Sequence, residues 1–381
     1  MIRTLVLAAL VAVIQANSQS PLFIPAPGSP AVIGKGPGQV SLADINGDGR
    51  PDLVTRHLLE RSLTALLGDG TGRFAAAPGG QINLSYMPGD VELGDVNGDK
   101  ILDLGVTNSD RDAVDIFLGD GKGGFNRAAG APFTVSTAVE FNTHSLNLVD
   151  LNEDGKLDIV TANHRRNSFA TMFGDGRGGF SSGPVTTFQP GHDNYTFAFG
   201  DVDGDGHLDV VVVSGENGDS LEPGQVTALR GDGKGAFKSA SEKSLSVPMG
   251  PHFVTLADVN NDQRLDIVTS HSSNQLSVLL NAGAGKFAPA PAAPYDLGTE
   301  AFAVAVADVD RDKRNDVVAA TVDSVTVLLG GGNGFNPAPG SPFRAGPGAY
   351  NLAIGDVNGD GKLDVVASSF EGDAVTVLLG R

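Results

Sequence analysis

The sequence has no cysteine and no tryptophan, and aromatic residues make up only 6% of its 381 positions. Without cysteine, the chain cannot form disulfides, thiolate metal sites or a catalytic cysteine. Basic residues are also few, with 26 Lys and Arg against 45 Asp and Glu, for a net charge of −19. No basic face is available to neutralise phosphates, so the composition argues against a nucleic-acid partner.

Long apolar runs are missing beyond the N-terminus, where Leu5 to Ile14 follow Arg3 and precede the small-residue sequence Ala16-Asn17-Ser18. This order is typical of a secretory signal peptide. The alternative, a membrane anchor, is less favoured because ten apolar residues are too few to span a bilayer. We expect residues 1–18 to be a signal peptide, and the protein to be secreted, periplasmic or at the cell surface, with no membrane span.

What the chain has in abundance is one acidic motif of nine residues, most often written DxNxDGxxD, which occurs seven times. Positions 1, 3, 5 and 9 of the motif are always Asp or Asn. One copy would be weak support for a metal site, because Asx turns use the same residues. Seven copies in register indicate a repeat protein. The copies start 48 to 57 residues apart, at Asp44, Asp95, Asp150, Asp201, Asp258, Asp308 and Asp356.

The side-chain oxygens of alternate residues in a tight turn can converge on Ca²⁺, a hard cation that takes about six to eight oxygen ligands. The carbonyl at position 7 can add a further oxygen. We therefore predict seven calcium loops. Their side-chain ligands are Asp44, Asn46, Asp48 and Asp52; Asp95, Asn97, Asp99 and Asp103; Asp150, Asn152, Asp154 and Asp158; Asp201, Asp203, Asp205 and Asp209; Asp258, Asn260, Asp262 and Asp266; Asp308, Asp310, Asp312 and Asp316; and Asp356, Asn358, Asp360 and Asp364.

The charge balance fits this prediction, because 23 of the 45 acidic residues are aspartates of the seven loops. Seven divalent ions would add 14 charges and bring the net charge from −19 to −5. In a chain without disulfides, a cation that binds only the folded state would stabilise it. We expect a structural calcium, because a catalytic metal needs an open coordination position that nothing in the sequence marks.

The segments around each loop read as β-strands. Before each loop, bulky residues such as Val40 and Leu42 alternate with small ones, which is the period of two of a strand. Two further β-rich runs, a Gly-rich turn and a fourth strand that opens with Phe follow each loop. Four strands in about fifty residues, without helical periodicity, describe a β-propeller blade.

The two ends of the chain complete each other. The last repeat stops after its third strand, and the segment PLFIPAPGSPAVIG from Pro21 resembles the fourth-strand text of the sixth repeat. We therefore predict an all-β fold, a seven-bladed β-propeller of four-stranded blades in one domain over residues 21–381. Residues 21–35 supply the outer strand of blade 7, residues 36–347 form blades 1–6, and residues 348–381 supply the inner three strands of blade 7.

The repeated DxNxDGxxD motif, the Phe-Gly and Gly-Ala-Pro segments (GGFNRAAGAP, GRFAAAPG) and the strand order resemble the FG-GAP/VCBS repeats. Such repeats form the seven-bladed heads of integrin alpha subunits and many secreted bacterial proteins. The resemblance, over residues 21–381, implies that each loop joins the first two strands of a blade and binds calcium. Lys100, Gln263 and Lys313 replace the glycine at position 6, where a positive φ is easiest. Integrin domains beyond the propeller are absent, so full integrin function is not implied.

Histidine and tyrosine residues suggest a ligand site on the face opposite the predicted calcium loops. In a four-stranded blade, the connection into the first strand and the hairpin after the second lie opposite the calcium loops, and six of seven histidines fall there. Propeller ligands bind where the loops of many blades converge. The alternative is that these side chains only cover the hydrophobic interior at its rim. The candidate ligand-binding residues are His57, His144, His164, Arg165, His192, Tyr195, His252, His271 and Tyr350.

Arg230-Gly231-Asp232 looks like an adhesion tripeptide recognised by integrins. Its register argues otherwise, because LRGDGKGAF aligns with LLGDGTGRF and FLGDGKGGF, in which Gly-Asp-Gly is the turn between the third and fourth strands. Adhesion through this tripeptide is therefore the less favoured interpretation.

The leading functional interpretation is an exported, calcium-stabilised propeller that acts as a monomer and presents one face to a glycan or protein ligand. The alternative is a polysaccharide lyase or hydrolase that uses His and Tyr as acid and base. No HExxH motif is present, and we favour a binding module over an enzyme. A third possibility is an interaction platform in a larger surface assembly, without a small-molecule pocket.

Overall fold

The computed structural model describes residues 20–108, 110–135, 143–163, 168–187, 194–215, 222–239, 244–331 and 334–381. These residues form 33 β-strands and no helix. The strands build seven antiparallel sheets. The seven sheets confirm the predicted all-β, seven-bladed fold. In the described part of the chain, no helix has the length and apolar character needed to cross a membrane.

Each blade runs from an inner strand at the central axis to an outer strand. The first strand pairs with the second, the second with the third and the third with the fourth. Blade 1 contains β3 (Pro37–Ala43), β4 (Asp52–His57), β5 (Ser62–Gly68) and β6 (Phe74–Asn83), and blade 2 contains β7 (Pro88–Gly94), β8 (Asp103–Asn108), β9 (Ala113–Gly119), β10 (Phe125–Arg127) and β11 (Phe133–Thr134). Blade 3 contains β12 (Thr143–Val149), β13 (Asp158–Asn163), β14 (Ser168–Gly174) and β15 (Phe180–Thr187). Blade 4 contains β16 (Asn194–Gly200), β17 (Asp209–Ser214), β18 (Gly224–Gly231), β19 (Phe237–Ser239) and β20 (Leu245–Val247).

The remaining three blades follow the same order. Blade 5 contains β21 (Pro251–Ala257), β22 (Asp266–His271), β23 (Gln275–Asn281), β24 (Phe287–Pro289) and β25 (Tyr295–Asp296). Blade 6 contains β26 (Ala301–Ala307), β27 (Asp316–Thr321), β28 (Ser324–Gly331), β29 (Gly334–Pro337) and β30 (Phe343–Arg344). Blade 7 contains β31 (Ala349–Gly355), β32 (Asp364–Ser369), β33 (Ala374–Gly380), β1 (Phe23–Pro25) and β2 (Ala31–Val32).

The last blade is closed by the beginning of the chain. β1 pairs with β33 through Phe23 opposite Gly380, and β2 pairs with the other end of β33 through Ala31 opposite Val375. Phe23 is 2% exposed and packs edge-on against Phe343 of blade 6. This confirms the predicted ring closure by the N-terminal strand, which leaves no open sheet edge between the last blade and the first.

The hydrophobic core is divided among the blade interfaces. Seven clusters of buried side chains occur, one between each pair of neighbouring blades. The second strands lie between two neighbours, and every residue of β8, β17, β22, β27 and β32 is buried. Strands buried on both faces read as nearly continuous runs of Val, Ile, Ala and Thr, as these do.

Packing between blades explains two of the glycines that precede acidic loops. Leu157, at position 8 of the third loop, lies so close to Gly94 of blade 2 that a Cβ on this glycine would be 2.7 Å from Leu157 Cδ1. Leu265 of blade 5 covers Gly200 of blade 4 in the same way, at 2.5 Å. A larger residue at either glycine would displace the leucine of the next blade, so the small positions keep neighbouring blades in contact.

Candidate functional site

The acidic loops lie on one face of the ring, and the other ends of the same strand pairs lie on the opposite face. Each acidic loop connects the first strand of a blade to the second, so it follows Ala43 and precedes Asp52 in blade 1. At the opposite end of this strand pair, Pro37 of the first strand pairs with His57 of the second. We call the face with the acidic loops the acidic face, and the opposite face the channel-mouth face.

All seven acidic loops share one backbone conformation. Position 4 has φ between 60° and 83°, and position 6 has φ between 68° and 91°. Lys100, Gln263 and Lys313 adopt this left-handed conformation at position 6, where the other loops have glycine. The N–H of position 6 donates to one carboxylate oxygen of position 1 in every loop, over 2.7–2.9 Å. The three substitutions therefore leave the loop shape intact.

The aspartate at position 9 is fully buried in every loop. In the first loop, Asp52 accepts one hydrogen bond from the N–H of Ile45 at 3.0 Å and another from Gly68 at the end of the third strand at 2.8 Å. The same two bonds recur in all other blades. Burial raises the pKa of Asp103 and of Asp316 to about 6 in spite of these donors. The aspartate at position 9 therefore holds the loop to the blade by hydrogen bonds that do not depend on a bound metal.

Carboxylates of positions 1, 3 and 9 converge in two loops. Ligand atoms of Asp201, Asp203 and Asp209 lie within 4.8 Å of one another, and the matching residues of the sixth loop, Asp308, Asp310 and Asp316, do the same. These are the two loops with Asp instead of Asn at position 3. Such a set of oxygen donors fits Ca²⁺ and offers nothing to softer metals that prefer thiolate or imidazole.

Neighbouring loops also contact one another. The N–H of Gly72 in blade 1 donates to the carbonyl of Val357 in the loop of blade 7, at 3.1 Å, and Gly285 of blade 5 donates to Val202 of blade 4 at the same distance. Between loops three and four, His207 Nδ1 lies 2.5 Å from Glu153 Oε1, which raises the pKa of the exposed imidazole. These contacts connect neighbouring blades at three places on the acidic face.

A cavity of about 670 Å³ lies at the centre of the ring, lined by the inner strands of all seven blades. Glu92, Asn147 and Thr255 are among the residues that face it. Polar side chains five residues before the first Asp of a loop connect one blade to the next. Gln39 donates to the carbonyl of Val91 at 2.8 Å and accepts from its N–H at 2.9 Å.

The same connection recurs at three further blade interfaces. Leu146 N–H donates to Asp90, Val254 N–H donates to Thr196, and Val40 N–H donates to Asn351. Sequence reasoning missed this role, although the polar residue at this position is visible in the repeat alignment.

One side of the cavity carries charge. Arg56 packs over the bare backbone of Gly38, where a Cβ would be 3.0 Å from its Nε. The guanidinium lowers the pKa of Asp90, which burial raises overall. Burial, and then the charge of Asp90, raise the pKa of Glu92 to about 8. Glu92 is therefore mostly protonated at neutral pH, and Arg56 interacts electrostatically with Asp90.

The opposite side of the channel mouth carries a row of aromatic rings, which we call the aromatic row: His252, Phe302, Tyr350 and Phe370. Successive ring centroids are 5.4, 5.8 and 6.2 Å apart, and Phe302 stacks on Tyr350 with an angle of 23° between ring planes. Tyr350 is 37% exposed. Glu300 Oε1 lies 3.4 Å from His252 Nε2. Burial lowers the pKa of His252, so its imidazole is neutral at pH 7.

Two predicted ligand residues lie inside the blades. His57 is fully buried, with Nε2 2.9 Å from the hydroxyl of Thr64. His271 is also fully buried, between Thr269 at 2.8 Å and Ser277 at 3.0 Å, and burial lowers its pKa to about 3. The structure therefore does not bring these imidazoles to the surface, and both act as neutral hydrogen-bonding residues of the blade.

Of the other candidates, His252 and Tyr350 lie at the channel mouth. His144 and Tyr195 belong to the inner strands β12 and β16, but their side chains are not described. His164, Arg165 and His192 fall outside the described residues. The candidates predicted from the sequence do not include Phe302, Phe370 or Glu300, which carry no motif.

Gly179 to Gly183 read GFSSG, which matches the GxSxG pattern of serine hydrolases. In those enzymes the serine occupies a sharp turn between a strand and a helix. Here Ser181 lies on β15, an outer strand, and its hydroxyl is 3.5 Å from the carbonyl of Phe173. The local structure therefore does not provide a nucleophile turn.

Fold and site together define a seven-bladed β-propeller with repeated acidic loops between the first and second strands of its blades. The FG-GAP-like repeat matches residues 44–106, 95–161, 150–212, 213–269, 258–319 and 308–367. The chain belongs to the FG-GAP-like repeat family. A search of curated proteins gives no match.

Solved structures of similar fold include two of BBS1N in complex with ARL6DN, soaked with lead or with mercury. They are 13% identical, cover 95% of this chain and 97% and 98% of their own, and have TM-scores of 0.62 and 0.64. An Agrocybe aegerita lectin, described as recognising non-reducing terminal N-acetylglucosamine, is 20% identical, with 89% and 86% coverage and a TM-score of 0.50. At these identities the likeness concerns the fold.

Proposed function

We propose that this protein is an exported, calcium-stabilised binding module whose ligand is a glycan held at the channel mouth. The observation that carries the proposal is the aromatic row beside Glu300. Sugars present apolar C–H faces that pack on aromatic rings and hydroxyls that need hydrogen-bond partners. The mouth combines the exposed ring of Tyr350 with the carboxylate of Glu300 and the amide of Asn351.

The size and chemistry of the cavity support a small hydrophilic ligand. Ligand sites are commonly clefts of about 300–1,000 Å³ with a few polar groups, and the channel has about 670 Å³. Most of its polar lining is uncharged, and Arg56 interacts electrostatically with Asp90. The Agrocybe aegerita lectin gives precedent for glycan recognition on a similar fold.

The test compares two substitutions at one position. Tyr350→Ala removes the ring, whereas Tyr350→Phe removes only the hydroxyl. On a glycan array, followed by titration of the best oligosaccharide, we expect Tyr350→Ala to weaken binding about tenfold and Tyr350→Phe to retain it. Equal binding by wild type and Tyr350→Ala would exclude the aromatic row as the site. Binding of proteins but of no glycan would favour the protein-ligand alternative.

We further propose that calcium occupies the acidic loops and acts structurally. Aspartate and asparagine oxygens of positions 1, 3, 5 and 9 would hold the ion, as the sequence predicts. An ion that binds only the folded state contributes about 2.7 kcal/mol per site at a hundred times its Kd. Chelation should therefore lower the melting temperature markedly. A melting curve that is the same with and without chelator would contradict the calcium proposal and leave the glycan proposal standing.

Export and a monomeric state complete the proposal. The apolar run Leu5–Ile14 and the lack of cysteine support export by a cleaved signal. N-terminal sequencing of exported protein should find a start near residue 19, and light scattering should give the mass of one chain. An uncleaved N-terminus or a dimeric mass would overturn the corresponding statement.

A second candidate function, cleavage of a polysaccharide, is favoured by one observation. Glu92 faces the cavity with a pKa raised to about 8, as general acids in active sites often have. If the protein is an enzyme, Glu92→Gln should abolish release of reducing ends while oligosaccharide binding persists. Absence of turnover by wild type on the bound glycan would reject this candidate.

A further inference from the structure

Arg230 stands where the other blades have an apolar residue. The residue just before the end of the third strand is leucine or phenylalanine in the six other blades: Leu67, Leu118, Phe173, Leu280, Leu329 and Leu379. Several of these side chains contact a glycine in the outer turn of the next blade. A Cβ on Gly72 would be 3.0 Å from Leu379, and one on Gly235 would be 2.7 Å from Phe173. The position is thus an apolar contact between blades.

In blade 4, Arg230 replaces this apolar contact with an ion pair inside its own blade and a hydrogen bond to the next blade. Arg230 Nε lies 2.9 Å from Asp203 Oδ2, and its terminal nitrogen donates to the carbonyl of Ala284 in the outer turn of blade 5, at 3.1 Å. The Asp203 side chain is only 6% exposed. Asp203 is also one of the three converging carboxylates of the fourth loop. The guanidinium therefore joins a proposed calcium ligand to the neighbouring blade.

We infer that Arg230 is an internal cation of the fourth loop, which stabilises the loop without metal and weakens its affinity for calcium. The inference rests on the calcium role proposed above. A guanidinium on Asp203 neutralises part of the charge that attracts a divalent ion, and it would remain near the ion after binding. Loop four should therefore hold calcium less tightly than its carboxylates alone would.

The sixth loop provides the comparison within the same chain. It has the same four aspartates, with Asp310 at position 3, but Leu329 in the position of Arg230. Its carboxylates also converge within 4.8 Å. The two loops thus present the same four carboxylates. In the sixth loop Arg314 contacts the partly exposed position-5 ligand Asp312, whereas in the fourth loop Arg230 contacts the nearly buried position-3 ligand Asp203. The arginine at position 230 is therefore the difference that can be exchanged with Leu329.

The same contacts bear on the apparent adhesion tripeptide. Arg230 is bound to Asp203 and Ala284. Asp232 accepts the N–H groups of Lys234 and Ala236, at 2.9 and 3.0 Å, and so closes its own turn. Both charged side chains of the tripeptide have structural partners, which is consistent with its reading as a turn.

The test is a calcium titration of the full-length protein against a chromophoric chelator. Arg230→Leu should tighten one site about tenfold, and Arg230→Lys, which keeps the charge, should stay near wild type. The gain should vanish when Asp201→Ala disables loop four. Leu329→Arg should weaken one other site by a similar factor.

A second measurement addresses the metal-free state. In excess chelator, Arg230→Leu should melt below wild type, because the carboxylates of loop four then lack a cation. If wild type binds calcium but Arg230→Leu tightens no site, or tightens one equally in the Asp201→Ala background, the inference about Arg230 is wrong and the calcium proposal stands. If wild type binds no calcium, the calcium proposal itself fails.

Discussion

Replacing the buried aspartate at position 9 should destabilise the propeller whether or not calcium is present. In blade 7, Asp364 is fully buried and accepts hydrogen bonds from Val357 at 2.9 Å and Gly380 at 2.8 Å. Asp364→Ala leaves both N–H groups buried without acceptors, at about 1–3 kcal/mol each. Burial raises the pKa of Asp364, so removing this costly charge offsets part of the loss. We expect a net loss of about 2–4 kcal/mol, which is large against a typical total of 5–15 kcal/mol.

The control is the exposed aspartate at position 5 of the same loop. Asp360 accepts one hydrogen bond, from the N–H of Lys362 at 2.9 Å, and its side chain is 37% exposed. Asp360→Ala should lower the free energy of unfolding by less than about 1 kcal/mol in chelator, because water can replace the carboxylate. With calcium present the loss should grow, since this residue is a proposed ligand.

Urea denaturation of the two variants and wild type, each in chelator and in calcium, measures these differences. Asp364→Ala should be strongly destabilised in both media and Asp360→Ala mainly in calcium. If the two variants lost the same free energy in chelator, the distinction between a buried double acceptor and an exposed ligand would be wrong.

Two further predictions concern a strained backbone position and a buried imidazole. Lys313 has φ 71°, a left-handed conformation that costs a non-glycine residue roughly 1 kcal/mol. Lys313→Gly should raise the free energy of unfolding in urea by about that amount and Gly361→Lys should lower it; the opposite signs would contradict the strain. Burial lowers the pKa of His271 to about 3, below about 6.5 in the unfolded chain, so the unfolded state binds more protons between these values. Stability is therefore complete above pH 6.5 and falls as the pH drops toward 3, by about 2 kcal/mol at pH 5. In His271→Gln, the free energy of unfolding should fall less between pH 7 and pH 5 than in wild type, when both are measured by urea denaturation. An equal fall in the two proteins would contradict the role assigned to His271.

The repeat sequence was sufficient to predict the blades and their closure into a ring. Blades 1–6 are each built from contacts within about fifty residues, so their strands show a period of two and their loops show a fixed spacing of aspartates. The match between the segments after Pro21 and after Asn333 reveals that the two ends share one blade. The loop backbone was predictable in part, because asparagine or glycine at position 4 and glycine at position 6 suggest positive φ.

The candidate ligand face was predictable only as a face. His57 and His271 carry the same sequence signal as His252, yet the first two point into their own blades and the third lies at the mouth. A residue that ends a strand can turn inward or outward, and the partners that decide it, such as Thr64 for His57, lie on the adjacent strand.

By itself, the sequence determined the number of blades, the strand order, the acidic loops and the strand that closes the ring, since all of these repeat with the chain. Only the tertiary structure decided three sets of contacts. The aromatic row and the electrostatic interaction of Arg56 with Asp90 connect different blades. The ion pair of Arg230 with Asp203 forms within blade 4. The physical reason is that these contacts depend on the radial packing of whole sheets or on a single departure from the repeat. Neither has a local periodicity that a linear pattern can reveal.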